Sequence, residues 1–174
     1  VFDYEYAEIA QITERDEAAC RQLFSRAKKH ISEHRPRFPA SPEAHMNMVG
    51  RFMDACIAGE MDGLMSLLAE DVTTWSDSGG KVSGAARQPI QGRDKVARAI
   101  FTMLSHAPEG TTVEVIEANG LPALLVRVKR QIVAVLTLEV EGDFIRAGRI
   151  VANPDKLAHL RLPPASAQEW RIKS

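Results

Sequence analysis

Basic side chains cluster in one short stretch of a chain that is nearly neutral overall. Between Cys20 and Phe38 there are six lysines and arginines but only one acidic residue, Glu33, whereas the whole chain has a formal net charge of -1. A local excess of positive charge attracts phosphate groups even when the total charge is close to zero. The stretch is therefore a candidate nucleic-acid surface. The alternative is a solvated helix face on which positive charges happen to cluster.

The segment from Glu8 to His30 supplies the elements that could position these charges. Its pattern predicts two helices joined by a tight turn, with Asp16 as the N-cap of the second helix. The apolar residues expected to form a small core between the helices are Tyr6, Ile9, Ala10, Ile12, Ala19, Leu23 and Phe24. This spacing fits a helix-turn-helix, whose second helix enters the major groove of DNA. An ordinary helical hairpin packed on the rest of the chain is the alternative.

In a helix-turn-helix, the exposed side chains around the second helix fall into two groups. Those expected to face the base edges are Arg15, Glu17, Ala18, Arg21, Gln22 and Ser25. Those expected to contact phosphates are Arg26, Lys28 and Lys29. Both groups contain the residue types that protein–DNA contacts require.

The rest of the chain follows a proline-rich linker, RPRFPASP, at residues 35–42. After it, apolar residues recur with helical spacing at Val49, Phe52, Met53, Cys56 and Ile57, and again at Val96, Ala99, Ile100, Met103 and Leu104. Four β-branched or alternating runs come next, with hairpin signals at Asn119-Gly120 and at residues 141–143. Helices followed by a four-strand antiparallel meander predict an α+β domain in which a curved sheet wraps the helices.

Other motifs suggest chemistry without completing a site. The segment HISEH, His30–His34, formally matches a zinc-protease pattern, but it ends a basic helix and has no third ligand, so we expect no metal. Lys81 follows two glycines, yet the phosphate-loop pattern is absent, and we expect no cofactor. Cys20 and Cys56 occupy apolar positions of helical patterns and are expected to be reduced core residues. Neither a signal peptide nor a membrane span is evident, so we expect a cytoplasmic protein.

The helix pair resembles the promoter-binding region of extracytoplasmic function sigma factors. That region carries an E-I-A block followed by a helix with the pattern x-x-R-Q-x-x-x-R-A. The matching positions are Glu8, Ile9, Ala10, Ala18, Ala19, Arg21, Gln22, Leu23, Arg26 and Ala27. Thr13 replaces the usual apolar residue, and Glu14 stands where glycine commonly forms the turn. The resemblance implies that the helix pair recognises promoter DNA.

Two further motifs are similar to the signatures of the sigma-factor subfamily with a SnoaL-like C-terminal extension. They are WSDSGGK at Trp75–Lys81, where Ser78 replaces the usual third glycine, and NPDKL at Asn153–Leu157. The resemblance implies a nuclear-transport-factor-2-like (SnoaL-like) cone of helices and curved antiparallel sheet. It divides the chain into a partial helix-turn-helix (1–34), the linker (35–42), the SnoaL-like domain (43–160) and a C-terminal tail (161–174).

The same resemblance implies that the chain is the C-terminal portion of a sigma factor. Its partners would be promoter DNA and, through regions outside this chain, the RNA polymerase core. The SnoaL-like domain would dock on the rest of the factor and regulate transcription initiation. The expected regulatory or interface residues are Asp77, Gly79, Gly80, Lys81, Asn153, Pro154, Asp155, Lys156 and Leu157. The alternative is that both motifs are merely structural turns, and a homodimer through an exposed sheet face is left open.

Catalysis inside the cone is the competing hypothesis. Domains of this fold include SnoaL-type polyketide cyclases and ketosteroid isomerase, which use a pocket carboxylate as a base. The pocket candidates here are Asp77, with Trp75 and His106 near the mouth of the cone. One acid, one loop histidine and one aromatic ring do not make a catalytic set, so we expect no catalytic residues and no enzyme activity. A small-molecule ligand in the cone, bound as a signal, remains an alternative.

Overall fold

The computed structural model describes residues 5–33, 41–160 and 169–172, and for residues 28–33 it describes the backbone alone. The chain forms two compact units, Val1–Arg37 and Phe38–Ser174, which we call the helical unit and the sheet unit. Most of the linker predicted at residues 35–42 lies outside the described residues. Within the described ranges, each helix is too short or too polar to cross a membrane.

The described part of the helical unit, residues 5–33, forms two helices, α1 (Tyr6–Thr13) and α2 (Glu17–Glu33). The predicted N-cap is confirmed, because the carboxylate of Asp16 accepts a 2.7 Å hydrogen bond from the backbone N–H of Ala19. Glu14 ends α1 with a φ of 53°, in the left-handed region that favours glycine. The predicted tight turn therefore forms even though Glu14 carries a side chain.

The core of the helical unit is only partly the one expected from the sequence. Cys20 is buried, and the rings of Tyr6 and Phe24 meet edge to face with their centroids 6.0 Å apart. In contrast, Ile12, Leu23 and Phe24 keep 67%, 46% and 56% of their surfaces exposed. Two helices cover only one side of each other, so these three expected core residues lie at the surface.

Within residues 41–160 and 169–172, the sheet unit forms four helices and seven strands. The helices are α3 (Pro42–Ala58), α4 (Met61–Leu67), α5 (Arg93–Ser105) and α6 (Pro154–Leu157). The strands are β1 (Leu68–Asp77), β2 (Ile90–Gln91), β3 (Thr111–Ala118), β4 (Leu121–Val128), β5 (Gln131–Glu141), β6 (Phe144–Val151) and β7 (Glu169–Arg171).

The seven described strands belong to one sheet with the order β2-β1-β6-β5-β4-β3-β7. Strands β3 to β6 form the predicted antiparallel meander, and its turns at Asn119-Gly120 and Gly142 have positive φ. Strand β1 extends the meander by pairing in parallel with β6, and β7 pairs with β3 from within the expected tail. The parallel pair and β7 were absent from the sequence-based expectation, whereas the α+β class is confirmed.

The core of the sheet unit lies between one face of the sheet and helices α3, α4 and α5. Val49 and Phe52 of α3 and Val96 of α5 are buried there, as their spacing predicts. Ile57 and Met103 were expected in the same stripes but are 46% and 50% exposed. Both lie towards the C-terminal ends of their helices.

Side-chain alternation along the strands decides which residues face this core. A Cβ atom built on Gly148 would lie 3.2 Å from Thr74 and 3.8 Å from Leu136, and Leu136 packs against the core. Thr74 therefore points to the core side. Because neighbouring strand residues point to opposite faces, Trp75 and Asp77 lie on the other side of the sheet, which we call the outer face.

Candidate functional site

The first motif, Trp75–Lys81, covers the end of β1 and the turn after it. The carboxylate of Asp77 accepts a 3.1 Å hydrogen bond from the backbone N–H of Gly79, and the carbonyl of Ser78 accepts a 3.0 Å hydrogen bond from the N–H of Lys81. Gly79 and Gly80 have φ values of 58° and 72°, which glycine adopts without strain. The sequence therefore forms a tight turn that begins and ends with a charged side chain.

The second motif, Asn153–Leu157, turns the chain from β6 into the short helix α6. The side chain of Asn153 caps this helix by accepting a 3.1 Å hydrogen bond from the N–H of Asp155. Pro154 occupies the first helical turn, where its missing N–H is not needed. Leu157 is buried and fixes α6 to the domain, so that Asp155 and Lys156 stay at the surface.

The two motifs meet because β1 and β6 are parallel neighbours. Asp77 lies opposite Val151 at the ends of these strands, and the carbonyl of Asp77 accepts a 2.8 Å hydrogen bond from the N–H of Ala152. Beyond this point, the Nζ of Lys156 lies 2.7 Å from an oxygen of Asp77. The Nζ of Lys81 lies 2.5 Å from an oxygen of Asp155.

Each motif thus contributes one acid and one lysine to two ion pairs between the motifs, which we call the crossed pairs. Lys81, Asp155 and Lys156 expose more than half of their side chains, and Asp77 exposes 39% of its side chain. Hydrogen bonds from Lys156 and from the Gly79 N–H, in that order, hold the pKa of the Asp77 carboxyl below its ordinary value. Exposed ion pairs contribute little to folding stability, so the crossed pairs mainly define the arrangement of charge on this surface.

A close approach of the two motifs requires glycine at position 79. A Cβ atom on Gly79 would lie 2.6 Å from Nδ2 of Asn153, whereas a Cβ atom on Gly80 would have nothing within 4 Å. The side chain of Asn153 also contributes to the lowered pKa of Asp77 through a hydrogen bond. The contact between the motifs has one signal in the sequence, namely that each motif carries an aspartate followed by a lysine, so that each could pair with the other.

The predicted pocket trio of Trp75, Asp77 and His106 is not assembled. Trp75 and Asp77 lie on the outer face, and Trp75 is 40% exposed with the guanidinium of Arg149 5.1 Å from its ring centroid. His106 ends α5, which packs on the other face, and its Nδ1 lies 2.8 Å from the carbonyl oxygen of Thr102. The pKa of Asp77 is lowered, which is the opposite of the shift that an apolar pocket gives to a catalytic base.

The predicted DNA-facing side chains lie around the turn and along α2 of the helical unit. Glu17 is partly buried, and the remaining described members of the set are exposed, namely Arg15, Ala18, Arg21, Gln22, Ser25 and Arg26. Lys28 and Lys29 belong to α2, but their side chains lie outside the described part of the structure. Arg21 forms an ion pair with Glu17, and its guanidinium carbon lies 5.1 Å from the ring centroid of Tyr6.

Metal and thiol chemistry receive no support from the described residues. Within the described ranges, no group of three or more His, Cys, Asp or Glu side chains is placed to hold a metal ion, and His34 lies outside them. Both cysteines are buried free thiols, as the sequence predicted. Burial raises the pKa of the Cys56 thiol to about 12, so this thiol stays protonated and unreactive near neutral pH.

The chain is similar to two curated proteins of Mycobacterium tuberculosis, although no protein-family model matches it. It is 40% identical to the ECF RNA polymerase sigma factor SigJ over 110 residues, which are 63% of this chain and 35% of that protein. It is 29% identical to the probable ECF RNA polymerase sigma factor SigI over 161 residues, 92% of this chain and 53% of that protein. The chain therefore spans about half or less of the curated relatives that it matches.

A solved structure is similar as well. The crystal structure of the extracytoplasmic function sigma factor SigJ from Mycobacterium tuberculosis matches with a TM-score of 0.68 and 29% identity. The match covers 93% of this chain and 57% of that chain. A match of this extent includes residues of both the helical unit and the sheet unit.

Replacing Gly79 with alanine should cost more stability than replacing Gly80. Both substitutions strain a positive φ, but only the Cβ at position 79 would collide with Asn153. We expect the free energy of unfolding to fall by about 1–3 kcal/mol for Gly79→Ala and by about 1 kcal/mol for Gly80→Ala. Urea unfolding followed by tryptophan fluorescence measures both values, because both tryptophans lie in the sheet unit. Equal losses would show that Asn153 moves aside at no cost.

Lys156→Met should raise the pKa of the Asp77 carboxyl towards its ordinary value of 3.8, because Lys156 is the largest cause of the lowered pKa. A lowered pKa in the folded state gives stability that is present above the unfolded pKa and is lost as the pH falls through the folded pKa. The variant should therefore lose part of the stability that ionised Asp77 contributes near neutral pH, and its stability should fall less as the pH drops into the acid range. An NMR titration of the Asp77 carboxyl measures the shift. Lys81→Met is the matched control, and an equal shift in both variants would contradict the pairing.

Proposed function

We propose that this homologue of extracytoplasmic function sigma factors works as part of an RNA polymerase sigma factor. In this proposal the helical unit recognises promoter DNA, and the sheet unit regulates transcription initiation. The observation that carries the proposal is the meeting of the two signature motifs at one surface through the crossed pairs. Similarity to SigJ and SigI over both units supports the same conclusion.

Promoter recognition is supported by the geometry of the helical unit. Helix α2 begins at a capped N-terminus after a tight turn, as the second helix of a helix-turn-helix does. Arg15, Gln22, Ser25 and Arg26 are exposed along one stretch that begins at this turn. These are residue types that contact base edges and phosphates, and Lys28 and Lys29 continue the basic character of the same helix.

Regulation by the sheet unit is supported by the surface that the crossed pairs define. Four exposed charges of alternating sign are held in a fixed arrangement by two backbone turns. Such pairs contribute little to folding stability. We therefore propose that their role is to present a charge pattern to a complementary surface. We propose that this surface docks on another part of the sigma factor or on the polymerase core, and that docking changes the rate of initiation.

The remaining parts of the proposal follow from the same role. The partners are promoter DNA and the RNA polymerase core, the location is cytoplasmic, and the protein is not an enzyme. The proposed organisation is a promoter-binding unit at 1–34, a linker at 35–42, a SnoaL-like regulatory domain at 43–160 and a tail at 161–174. The tail contains β7, which pairs with β3 as an edge strand of the sheet.

DNA binding by the helical unit can be tested on this chain through its dependence on salt. Arg26→Ala should weaken binding to a fluorescent DNA duplex at low salt, and the slope of log affinity against log salt should fall in magnitude by about 1 for one lost phosphate contact. Fluorescence anisotropy measures both quantities. Arg51→Ala is the control, because Arg51 is an exposed arginine of α3 in the sheet unit. Equal effects of both variants would contradict the assignment of α2.

The regulatory proposal can be separated from a purely structural role by exchanging the charges of one crossed pair. Lys81→Asp should change the transcription driven by a sigma factor that carries this chain. The double variant Lys81→Asp, Asp155→Lys re-forms an ion pair but reverses the charges that a partner would meet. If the surface docks, the double variant should remain altered in run-off transcription while keeping wild-type unfolding, because the turn hydrogen bonds made by the Asp77 and Asn153 side chains stay in place. Recovery of wild-type transcription would leave only the structural role.

A further inference from the structure

Arg21 differs from an ordinary exposed arginine because two neighbours hold its guanidinium. Its Nη2 group donates to the carboxylate of Glu17, one helical turn earlier. The guanidinium carbon lies 5.1 Å from the ring centroid of Tyr6, the first residue of α1. The side chains of Arg21 and Glu17 are still 62% and 44% exposed.

The chemistry of guanidinium explains what this arrangement leaves available. The group is planar and carries five N–H donors. Glu17 uses Nη2, and the Tyr6 ring orients the group without using any N–H. Nη2 carries two N–H groups and Glu17 takes one, so the other can still act with an N–H of Nη1 or Nε as a two-donor fork for the O6 and N7 atoms of a guanine. A guanidinium that is already oriented also loses less freedom when it binds.

The position of Glu17 needs a separate explanation on a DNA-binding surface. A carboxylate near phosphates weakens DNA binding by like-charge repulsion. Glu17 is the first residue of α2, where the recognition helix of a helix-turn-helix meets the bases. An acid is useful at this position if it sets the direction of a base-reading arginine, or if it accepts a hydrogen bond from a cytosine directly.

We propose that Glu17 and Tyr6 orient Arg21 to recognise one guanine in the major groove, so that Glu17 determines specificity without contacting DNA. This inference rests on the proposed promoter-binding function of the helical unit. It makes Glu17 a positioning residue and Arg21 the contact. The geometry favours this over direct reading by Glu17, because the carboxylate is already engaged by Arg21.

The test is a selection of binding sites from a pool of randomised DNA duplexes at low salt, using this chain. We expect the wild type to prefer guanine at one position by roughly 5- to 150-fold, the discrimination that a good bidentate pair gives. Arg21→Lys keeps the positive charge but loses the planar fork, so the preference at that position should disappear. Glu17→Gln and Glu17→Asp should reduce the preference at the same position. The double variant Glu17→Gln, Arg21→Lys should lose no more than Arg21→Lys alone.

The control and the alternative outcomes separate the hypotheses. Glu14→Gln removes one exposed acid from the same unit without touching Arg21 and should keep the preference; circular dichroism checks that every variant retains its helices. An unchanged preference in both Glu17 variants overturns the proposal, and so does a loss that falls at a different base pair, which would mean that Glu17 reads DNA itself. If the wild type selects no sequence at all, promoter recognition by the helical unit is wrong as well.

Discussion

The parallel pairing of β1 with β6 is the constraint on which the surface of the sheet unit depends. Parallel neighbours end at the same edge of a sheet, so the turn after β1 and the turn after β6 leave the sheet side by side. An antiparallel arrangement would have placed these turns at opposite edges. The hydrogen bond from the N–H of Ala152 to the carbonyl of Asp77 extends the pairing to the last residues before the turns diverge.

The crossed pairs show that exposed ion pairs can be well defined in position even though they contribute little to folding stability. Each pair is solvated and weak, yet the backbone beneath them is tightly specified. Gly79 packs against Asn153 at a distance that excludes a Cβ, and Asn153 in turn caps the helix that carries Asp155 and Lys156. The packing of the backbone therefore determines where the four charges lie. The charges give this surface its pattern but contribute little to the stability of the fold.

Local signals in the sequence predicted local structure well. The cap at Asp16 and the hairpin at Asn119-Gly120 were correct because each depends on residues within a few positions of one another. The parallel pair was missed because it joins strands far apart in sequence, and no local pattern encodes their register. Without that register the direction of the Trp75 side chain could not be predicted, and the structure places it on the outer face beside Arg149 rather than together with His106.

In the helical unit, the sequence identified the residue types of the candidate site but could not predict which of these side chains contact one another. The spacing of Glu17 and Arg21 permits an ion pair on any helix, and such a pair is ordinarily a minor surface contact. What distinguishes this pair is Tyr6, which comes from the other helix and lies against the guanidinium. The turn that brings Tyr6 there includes Glu14 in a left-handed conformation that costs a residue with a side chain about 1 kcal/mol or more. Because α1 and α2 meet through this turn, its geometry influences where the Arg21 fork points, and in the proposed promoter-binding role a change at Glu14 would act on recognition without altering Arg21 or Glu17.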